Sequence, residues 1–336
     1  MPSVGGSLQQ LPAHAPSLDI SVVIICFNNG PAFLGSLASV VGAIQALGST
    51  LTSEIIVVDD ASDDPATQAM LAGICPPTTQ FRMVRRQRNG GASAARNEGI
   101  RAARGRWVLF LDGDDQWTPQ RLTLHHALIG ADPEARWTAC DYVRADVGAS
   151  TPDAQASRHG ALSAAAEAAA RLEADLPPKF ALDGATDAAL RGCLFHVNTV
   201  AVNRQLLLSI GGFDERYRTA EDHDLWIRLS RHATPHYVAA VGAIYTRNPQ
   251  GITRRLKTPH PDLWKVYLGC LEQPWVRPYR GLVVERLARV VLDNVSYLRT
   301  AGRFGDARRL LFALLMHAPG HTGGWRQLMA VLLRRS

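Results

Sequence analysis

Three carboxylates stand within four residues of one another, directly after a hydrophobic stretch. Residues 107–111 are apolar throughout, and Asp112, Asp114 and Asp115 follow them. Carboxylate oxygens, with water and phosphate oxygens, are the ligands that Mg²⁺ and Mn²⁺ prefer. The D-x-D spacing therefore indicates a site for a divalent cation. The alternative is a solvated acidic turn in which Asp115 caps the next helix, and the sequence leaves both open.

A second acidic pair, Asp59 and Asp60, follows the apolar residues 55–58. A carboxylate at this position can accept a hydrogen bond from a nucleotide base or a ribose hydroxyl, as the acidic residue of dinucleotide folds does. It can equally form an Asx turn, or cap the helix that begins at Pro65. We expect one aspartate to take each role.

Two glycines, Gly90 and Gly91, open a helical stretch that carries Ser93, Arg96 and Asn97. Backbone N–H groups at the start of a helix form a natural seat for an anion. The segment is neither a Walker A loop nor a G-x-G-x-x-G fingerprint, so by itself it is a weak signal.

Glu221 and Asp222 begin a helix in which Asp222 shares one face with apolar residues three, four and seven positions later. That face points toward protein or a cleft. A carboxylate held there can act as a general base, which contributes about 10²–10⁴ in rate. Glu221 is the alternative base, or a charge that complements the dipole at the helix N-terminus.

The elements that must position these residues alternate between strand and helix. Short apolar, β-branched runs predict strands over 20–27, 55–58, 81–84 and 107–111, and helical spacing predicts helices over 31–47, from 65, and over 90–104. This order predicts an α/β fold with a doubly wound, mostly parallel, Rossmann-like sheet. Ligands bind such sheets beyond the carboxyl ends of the strands, where both acidic pairs are expected to lie.

The rest of the chain predicts a less regular half and then helices. A helix is expected over 119–129, a strand over 137–142, a helix over 161–175, a strand over 196–202, helices over 203–210 and 221–232, and strands over 236–240 and 243–247. Helices follow over 262–271, 279–300, 306–317 and 324–333. We expect a disordered tail over 1–17, one domain over 18–255 with an insertion at about 143–190, and a basic helical region over 256–336.

Composition and charge narrow the class of protein. Of the 336 residues 46% are hydrophobic and 20% charged, which is typical of a globular chain. The five cysteines are scattered without C-x-x-C spacing, and no signal peptide or membrane span is visible, so a reducing, cytoplasmic setting is expected. Residues 254–336 hold fifteen Lys or Arg against five Asp or Glu. This surplus is either a solvated basic surface or a contact with an anionic partner, with a peripheral membrane favoured over nucleic acid.

Together these motifs resemble the family 2 glycosyltransferases, inverting enzymes of the GT-A fold. The blocks that carry the resemblance stand in the family's order between residues 20 and 230: 21–28 (SVVIICFN), 54–62 (EIIVVDDAS), 90–99 (GGASAARNEG), 107–115 (WVLFLDGDD), 211–215 (GGFDE) and 221–226 (EDHDLW). Each block is weak alone, but the ordered set is specific. It does not extend to residues 256–336.

The resemblance implies a metal-dependent glycosyltransferase that moves a sugar from a nucleotide-diphosphate donor to a hydroxyl of a glycan or lipid-linked acceptor. It implies that the protein takes part in cell-envelope polysaccharide synthesis and is located in the cytoplasm or at the inner face of the membrane. It also implies the following roles: base binding by Ile25, Phe27 and Asp60; donor binding by Arg96, Asn97 and Asp112; Mn²⁺ or Mg²⁺ binding by Asp114 with Asp112; and catalysis by Asp222, with Glu221 beside it.

Two alternatives remain at this stage. A nucleotidyltransferase that makes sugar nucleotides would use a similar sheet, but it should carry a Gly-rich basic loop after the first strand. Here that loop is Asn28-Asn29-Gly30-Pro31, without Lys or Arg. A non-catalytic module would instead dock a partner or a membrane through the basic C-terminal helices.

Overall fold

The core of the molecule is a mixed sheet whose first half is parallel. The computed structural model describes residues 18–76, 80–146, 179–247 and 258–333. Its first four strands are β1 (Ile20–Cys26), β2 (Ser53–Asp59), β3 (Phe81–Arg85) and β4 (Trp107–Asp112). They pair in parallel in the order β3-β2-β1-β4. The connecting helices are α1 (Ala32–Leu47), α2 (Pro65–Ala72) and α3 (Ala92–Ala102). The predicted alternation of strand and helix is thus confirmed.

Five further strands complete the sheet beyond β4. They are β5 (Gln116–Trp117), β6 (Trp137–Asp146), β7 (Lys179–Ala181), β8 (Val200–Asn203) and β9 (His236–Arg247). β8 lies antiparallel between β4 and β6, and β9 runs parallel to β6. β5 pairs with β9, and β7 also pairs with β9; both pairings are antiparallel. Helices α4 (Arg121–Ala131), α5 (Ala185–Arg191), α6 (Arg204–Ser209) and α7 (Glu221–Leu229) connect these strands.

The central strands are apolar throughout because both of their faces are covered. In β1, Val22 and Ile24 join a buried cluster with α1, whereas Val23 between them joins a cluster on the opposite face with α3. This alternation follows from the two-residue period of a strand. A sheet buried on both faces therefore shows continuous hydrophobic runs, which is the pattern that the sequence displays.

Three predicted strands differ in the structure. Residues 196–202 begin with a 3-10 turn over Val197–Thr199 before β8, because the side chains of His196 and Asn198 bond locally and across the site and take the backbone out of the ladder. The strands predicted over 236–240 and 243–247 are the single strand β9. Its register against β6 shifts at Asp141, where a bulge takes up the extra residues. Strands β5 and β7 and helix α5 have no counterpart in the sequence prediction.

The C-terminal helices share a core with the sheet domain. They are α8 (Leu263–Leu271), α9 (Arg280–Thr300), α10 (Phe304–His317) and α11 (Thr322–Leu333), with a 3-10 segment over Pro274–Tyr279. Their buried side chains belong to the same cluster as those of α7 and the sheet. The Tyr267 hydroxyl donates to the carbonyl of Leu190 at 3.1 Å, and its ring meets the edge of His223. The C-terminal helices are therefore packed against α7, the helix whose first turn carries the candidate base.

The cysteines, the length of the helices and the predicted tail and insertion are also addressed by the sequence. All five cysteines lie among the described residues and are free, as expected from their spacing. No helix in the described ranges is long and apolar enough to cross a membrane. The tail predicted over 1–17, the helix predicted over 161–175 and most of the insertion fall outside the described residues.

The contact between α3 and β1 leads to a stability prediction. A Cβ at Gly99 would lie 2.2 Å from a methyl carbon of Val23, whereas nothing lies within 4 Å of one at Gly130 in α4. We expect Gly99→Ala to lower the free energy of unfolding by about 1–3 kcal/mol through overpacking. Gly130→Ala should raise it by about 0.5–1 kcal/mol because alanine favours helix. Urea unfolding of both variants measures this, and equal stability would contradict the close approach of α3.

Candidate functional site

The predicted acidic residues meet at the carboxyl edge of the parallel strands. Cys26 of β1 pairs with Asp59 of β2, and Ile25 pairs with Asp112 of β4. Asp60 and Asp112 therefore lie on either side of β1, about two strand spacings or roughly 10 Å apart. The loop that holds the D-x-D packs tightly on β1, since a Cβ at Gly113 would lie 2.6 Å from the Ile25 carbonyl oxygen. Glycine is thus required between Asp112 and Asp114.

Arg96 joins this edge to the helix that carries the candidate base. Its side chain is 3% exposed. One guanidinium nitrogen lies 2.7 Å from Oδ1 of Asp112 and the other 2.8 Å from Oε1 of Glu221. The guanidinium carbon also lies 5.3 Å from the ring centre of Phe213. Burial alone would lower the pKa of Arg96, but the two carboxylates outweigh it and raise the pKa. The arginine therefore stays charged and holds α3, β4 and α7 together.

The two acids at the start of α7 have different surroundings. Glu221 is engaged by Arg96, and burial raises its pKa to about 7 while the arginine opposes that rise. Asp222 is half-buried and forms no ion pair with the residues that the structure describes. Its Oδ1 accepts from the His223 N–H at 2.7 Å, and its Oδ2 lies 3.6 Å from Cys193 Sγ. Of the two acids, Asp222 is therefore the one whose carboxylate is free of a cation among the described residues, and it can accept a proton from a substrate.

The turn that leads into these acids is strained. Ala220 precedes Glu221 with a φ of 62°, in the left-handed region. A residue with a Cβ pays about 1–2 kcal/mol for this conformation. Backbone strain of this kind is characteristic of functional sites, where the surrounding packing enforces it. Here it fixes the direction in which the first turn of α7 presents its carboxylates.

The three acids after β4 divide into separate roles. Asp112 is paired with Arg96. Asp115 is buried, and it accepts from the Asn198 amide at 2.5 Å and from the Thr246 N–H at 2.6 Å. It does not cap α4, whose N-cap is Gln120, so the capping alternative is wrong. Asp114 remains, with a pKa raised to about 6 by burial and then by the charge of Asp112.

These carboxylates suit a cation that is also bound by a substrate. Asp114 and Asp112 provide hard oxygen ligands, and a cation would relieve the repulsion that raises the pKa of Asp114. Within the described ranges, no group of three or more His, Cys, Asp or Glu side chains forms a complete metal cage. Mg²⁺ usually binds through one or two carboxylates plus substrate phosphates, and the residues present fit that mode.

Asp60 and the glycine loop satisfy one another. The Asp60 carboxylate accepts from the Gly90 N–H at 3.0 Å and the Gly91 N–H at 2.7 Å, and it forms an ion pair with Arg86. The glycine N–H groups predicted to seat an external anion are therefore occupied by this carboxylate. Asp59 accepts from the Ser62 N–H at 2.9 Å, three residues on, so it holds the loop after β2 but does not form the expected Asx turn, in which the bond goes to the second residue. The N-cap of α2 is neither of the two: it is Asp64.

The other residues assigned to the donor have mixed surroundings. Both amide hydrogens of Asn97 are used, by the Phe213 carbonyl at 2.8 Å and by Glu215 at 3.0 Å. Its oxygen accepts from the Phe213 N–H, so this side chain ties α3 to the 211–215 block. Ile25 is half-buried within the ladder. Phe27, the residue just beyond β1, is 43% exposed, and the Asp60 N–H donates to the carbonyl of the preceding residue, Cys26, at 2.8 Å.

Sequence reasoning misses a group of residues on the far side of the D-x-D. Asn198 accepts from the Asp112 N–H at 3.0 Å and donates to Asp115, and so it fixes the acidic loop. The ring of His196 lies 5.1 Å from those of both Tyr142 and Tyr245. Burial lowers the pKa of His196, while the charges of Asp112 and Asp222 act against it. No motif marks these residues, because they meet only through the pairing of β4, β8, β6 and β9.

A surface cleft of about 550 Å³ lies elsewhere. It is lined by Asp132, Arg136 and His236 among others, near the first residues of β6 and β9. Both β4 and β6 run antiparallel to β8, and β9 runs parallel to β6, so β4, β6 and β9 all point the same way. The acids lie at or just after the last residue of β4, whereas the cleft lies near the first residues of β6 and β9, so the cleft is at the opposite edge of the sheet. None of the residues predicted to act on a substrate lines this cleft.

Comparisons with known proteins point to one family. Residues 21–165 match the family model described as glycosyl transferase family 2. The succinoglycan biosynthesis protein ExoO of Rhizobium meliloti is 40% identical over 104 residues, which cover 31% of this chain and 28% of that protein. The poly(ribitol-phosphate) β-N-acetylglucosaminyltransferase TarP of Staphylococcus aureus is 31% identical over 96 residues, 29% of this chain and 28% of TarP. The chain thus spans less than a third of these relatives.

Solved structures resemble the whole described fold. TarS 1–349 of S. aureus, crystallised with UDP-GlcNAc, superposes with a TM-score of 0.63 at 16% identity. The alignment covers 88% of this chain and 82% of that one. The expected fold, a GT-A type of α/β sheet with a C-terminal helical extension, is confirmed.

The buried arginine gives a prediction for stability. Removing one partner of a buried ion pair leaves a charge uncompensated and costs about 3–5 kcal/mol. We expect Arg96→Met to lose about that much free energy of unfolding, and Arg96→Met/Glu221→Gln to recover part of it. Arg101→Met, in the same helix, removes an exposed pair with Glu98 and should change stability by less than about 1 kcal/mol. Equal losses in urea unfolding of Arg96→Met and Arg101→Met would contradict the role of Arg96.

Proposed function

We propose that the chain is a glycosyltransferase of the family whose model matches residues 21–165, and that it transfers a sugar from a nucleotide diphosphate to a hydroxyl group with inversion at the anomeric carbon. The acceptor is a glycan or glycolipid of the cell envelope. The relatives named in envelope polysaccharide biosynthesis, succinoglycan for ExoO and ribitol-phosphate polymer for TarP, support this acceptor class.

One observation carries the proposal. Arg96 binds Asp112 of the D-x-D and Glu221, the residue before Asp222, through two short ion pairs. A donor whose diphosphate lies at the D-x-D therefore has its sugar close to the first turn of α7. This neighbourhood supports a reaction in which the donor carbon and the acceptor hydroxyl meet beside Asp222.

The reaction is a single displacement. Asp222 accepts the proton of the acceptor hydroxyl as that oxygen forms its bond to the anomeric carbon. The bond from the anomeric carbon to the phosphate oxygen breaks, and its electron pair leaves with the nucleoside diphosphate. General base assistance of this kind is worth about 10²–10⁴ in rate. Glu221 is a positioning residue, since its carboxylate is held by Arg96 and orients the turn that carries Asp222.

Other residues of this chain bind and orient the donor. The exposed ring of Phe27 offers a stacking face for the base, next to the loop that Asp60 holds in place. Asp114 with Asp112 would hold Mg²⁺ or Mn²⁺, which supplies charge neutralisation to the departing diphosphate. Tyr142, His196 and Tyr245 form a cluster of rings in which His196 feels the charges of Asp112 and Asp222, and a sugar ring can pack against this cluster.

Donor binding can be measured without knowing the acceptor. We expect UDP, GDP or CDP with Mn²⁺ to raise the unfolding temperature of the protein, and the same nucleotide with EDTA to raise it much less. Asp114→Asn should remove most of the metal-dependent part of the shift, because it removes the carboxylate that is left for the cation. Differential scanning fluorimetry gives the readout. If none of the three nucleotides acts in a metal-dependent way, the proposed function is wrong.

The base can be tested with the nucleotide that binds. Asp222→Asn should keep the dissociation constant of that nucleotide within about twofold and lower sugar transfer or donor hydrolysis by about 10²-fold or more. Asp224→Asn is the matched control: it lies on the same helix but is paired with Arg228, so activity should persist. Retained transfer in Asp222→Asn would remove Asp222 from the mechanism.

A further inference from the structure

The last two helices present apolar side chains to solvent. We call α10, α11 and the turn between them the terminal hairpin. On α10, Phe312 and Met316 are 53% and 80% exposed. On α11, Trp325, Met329 and Leu333 are 48%, 52% and 78% exposed. In each helix these residues recur four positions apart, so they line one side of that helix.

These side chains are not part of the protein core. The opposite side of α10 buries Leu311 and Leu314, and that of α11 buries Leu328 and Val331. The two helices are therefore already anchored through one face. A second apolar stripe on an anchored helix is an unpartnered surface, and such a surface marks a site of interaction.

Positive charge borders this surface, and the one acidic residue of the hairpin, Asp306, is paired with Arg303 and Arg309 at the start of α10. The sequence from Ala307 to Ser336 contains five arginines and no Asp or Glu. Arg308 is exposed one turn before Phe312, and Arg326 is exposed next to Trp325. Neither forms an ion pair with any residue in the described ranges. The cations are thus left for a partner that supplies negative charge.

We propose that the terminal hairpin docks on an anionic membrane surface. Its apolar side chains enter the boundary between headgroups and acyl chains, and its arginines meet lipid phosphates. A second copy of the chain is a poorer occupant, because arginine would face arginine, and the one acid of the hairpin, Asp306, is already paired with Arg303 and Arg309. A nucleic acid would satisfy the arginines but not the exposed Phe, Met and Leu side chains. In this arrangement the two helices lie in the plane of the membrane surface, with their exposed apolar side chains toward the lipid.

The proposal is independent of the reaction, so it can fail separately. The full-length protein should co-sediment with vesicles of phosphatidylglycerol and phosphatidylcholine, and much less with phosphatidylcholine alone. Phe312→Ser/Met316→Ser/Met329→Ser should weaken binding by at least about tenfold, because it removes apolar surface from the stripe on each helix. Its response to nucleotide in a thermal shift assay should be unchanged.

A matched apolar control uses exposed residues of the sheet domain. Leu34, Met83 and Leu208 are 46%, 39% and 40% exposed. Leu34→Ser/Met83→Ser/Leu208→Ser should bind vesicles like the wild type. A loss as large as that of the hairpin variant would overturn the proposal, because the effect would then be non-specific.

The charges are tested by a second, milder pair of variants. Arg308→Gln/Arg326→Gln should weaken binding to the anionic vesicles by about tenfold, and added salt should weaken the wild type in the same direction. Arg104→Gln/Arg106→Gln removes two exposed arginines outside the hairpin and should have little effect. If the apolar variant does not fold, this pair decides the question alone.

Two results would overturn the proposal. One is that the wild type does not bind the anionic vesicles, or that the folded serine variant binds them as well. The other is found by light scattering: if the wild type is an oligomer and the serine variant is a monomer that still binds vesicles, the surface is an interface between copies.

Discussion

The site depends on one buried cation that is shared by two carboxylates. Arg96 lies in α3, and it binds Asp112 at the end of β4 and Glu221 at the start of α7. With both acids ionised and the arginine charged, the three groups carry one net negative charge in a place with little water. Each needs the others, since a buried charge without a partner is costly. The triad therefore links the end of β4 to the start of α7, the two halves of the site.

The acidic edge of the site is predictable from the sequence, but the partners of its residues are not. Asp59, Asp60 and the D-x-D each follow an apolar strand, and parallel strands end at one edge, so their convergence follows from topology. Arg96 and Glu221, however, are 125 positions apart, and no local pattern couples them. Asn198 is missed for the same reason: its neighbours Asp112 and Asp115 are distant in sequence, and it interrupts what reads as a strand.

Several residues that look ready for a ligand are engaged in holding the loops. The Asp60 carboxylate fills the glycine turn, and the Asn97 amide fixes the 211–215 block. Sequence patterns report that a polar residue is placed at an edge, but they do not report whether protein or substrate uses its hydrogen bonds. Asp114 and Asp222 differ because the described protein groups leave their carboxylates without a cation. Whether a polar side chain is engaged by the protein or left for a ligand depends on its hydrogen bonds and ion pairs, and these are known only from the folded chain.

The division of the candidate site between distant segments limits how the protein can be recombined with its relatives. The first four strands bring the acids of the proposed donor side, whereas α7 brings the proposed base and packs against the C-terminal helices. A chimera that joins the first half of one relative to the second half of another must preserve the match between Arg96, Glu221 and the Asn97 contact with Phe213. We therefore expect a chimera to fold and function only when the residues on both sides of these two contacts come from the same relative.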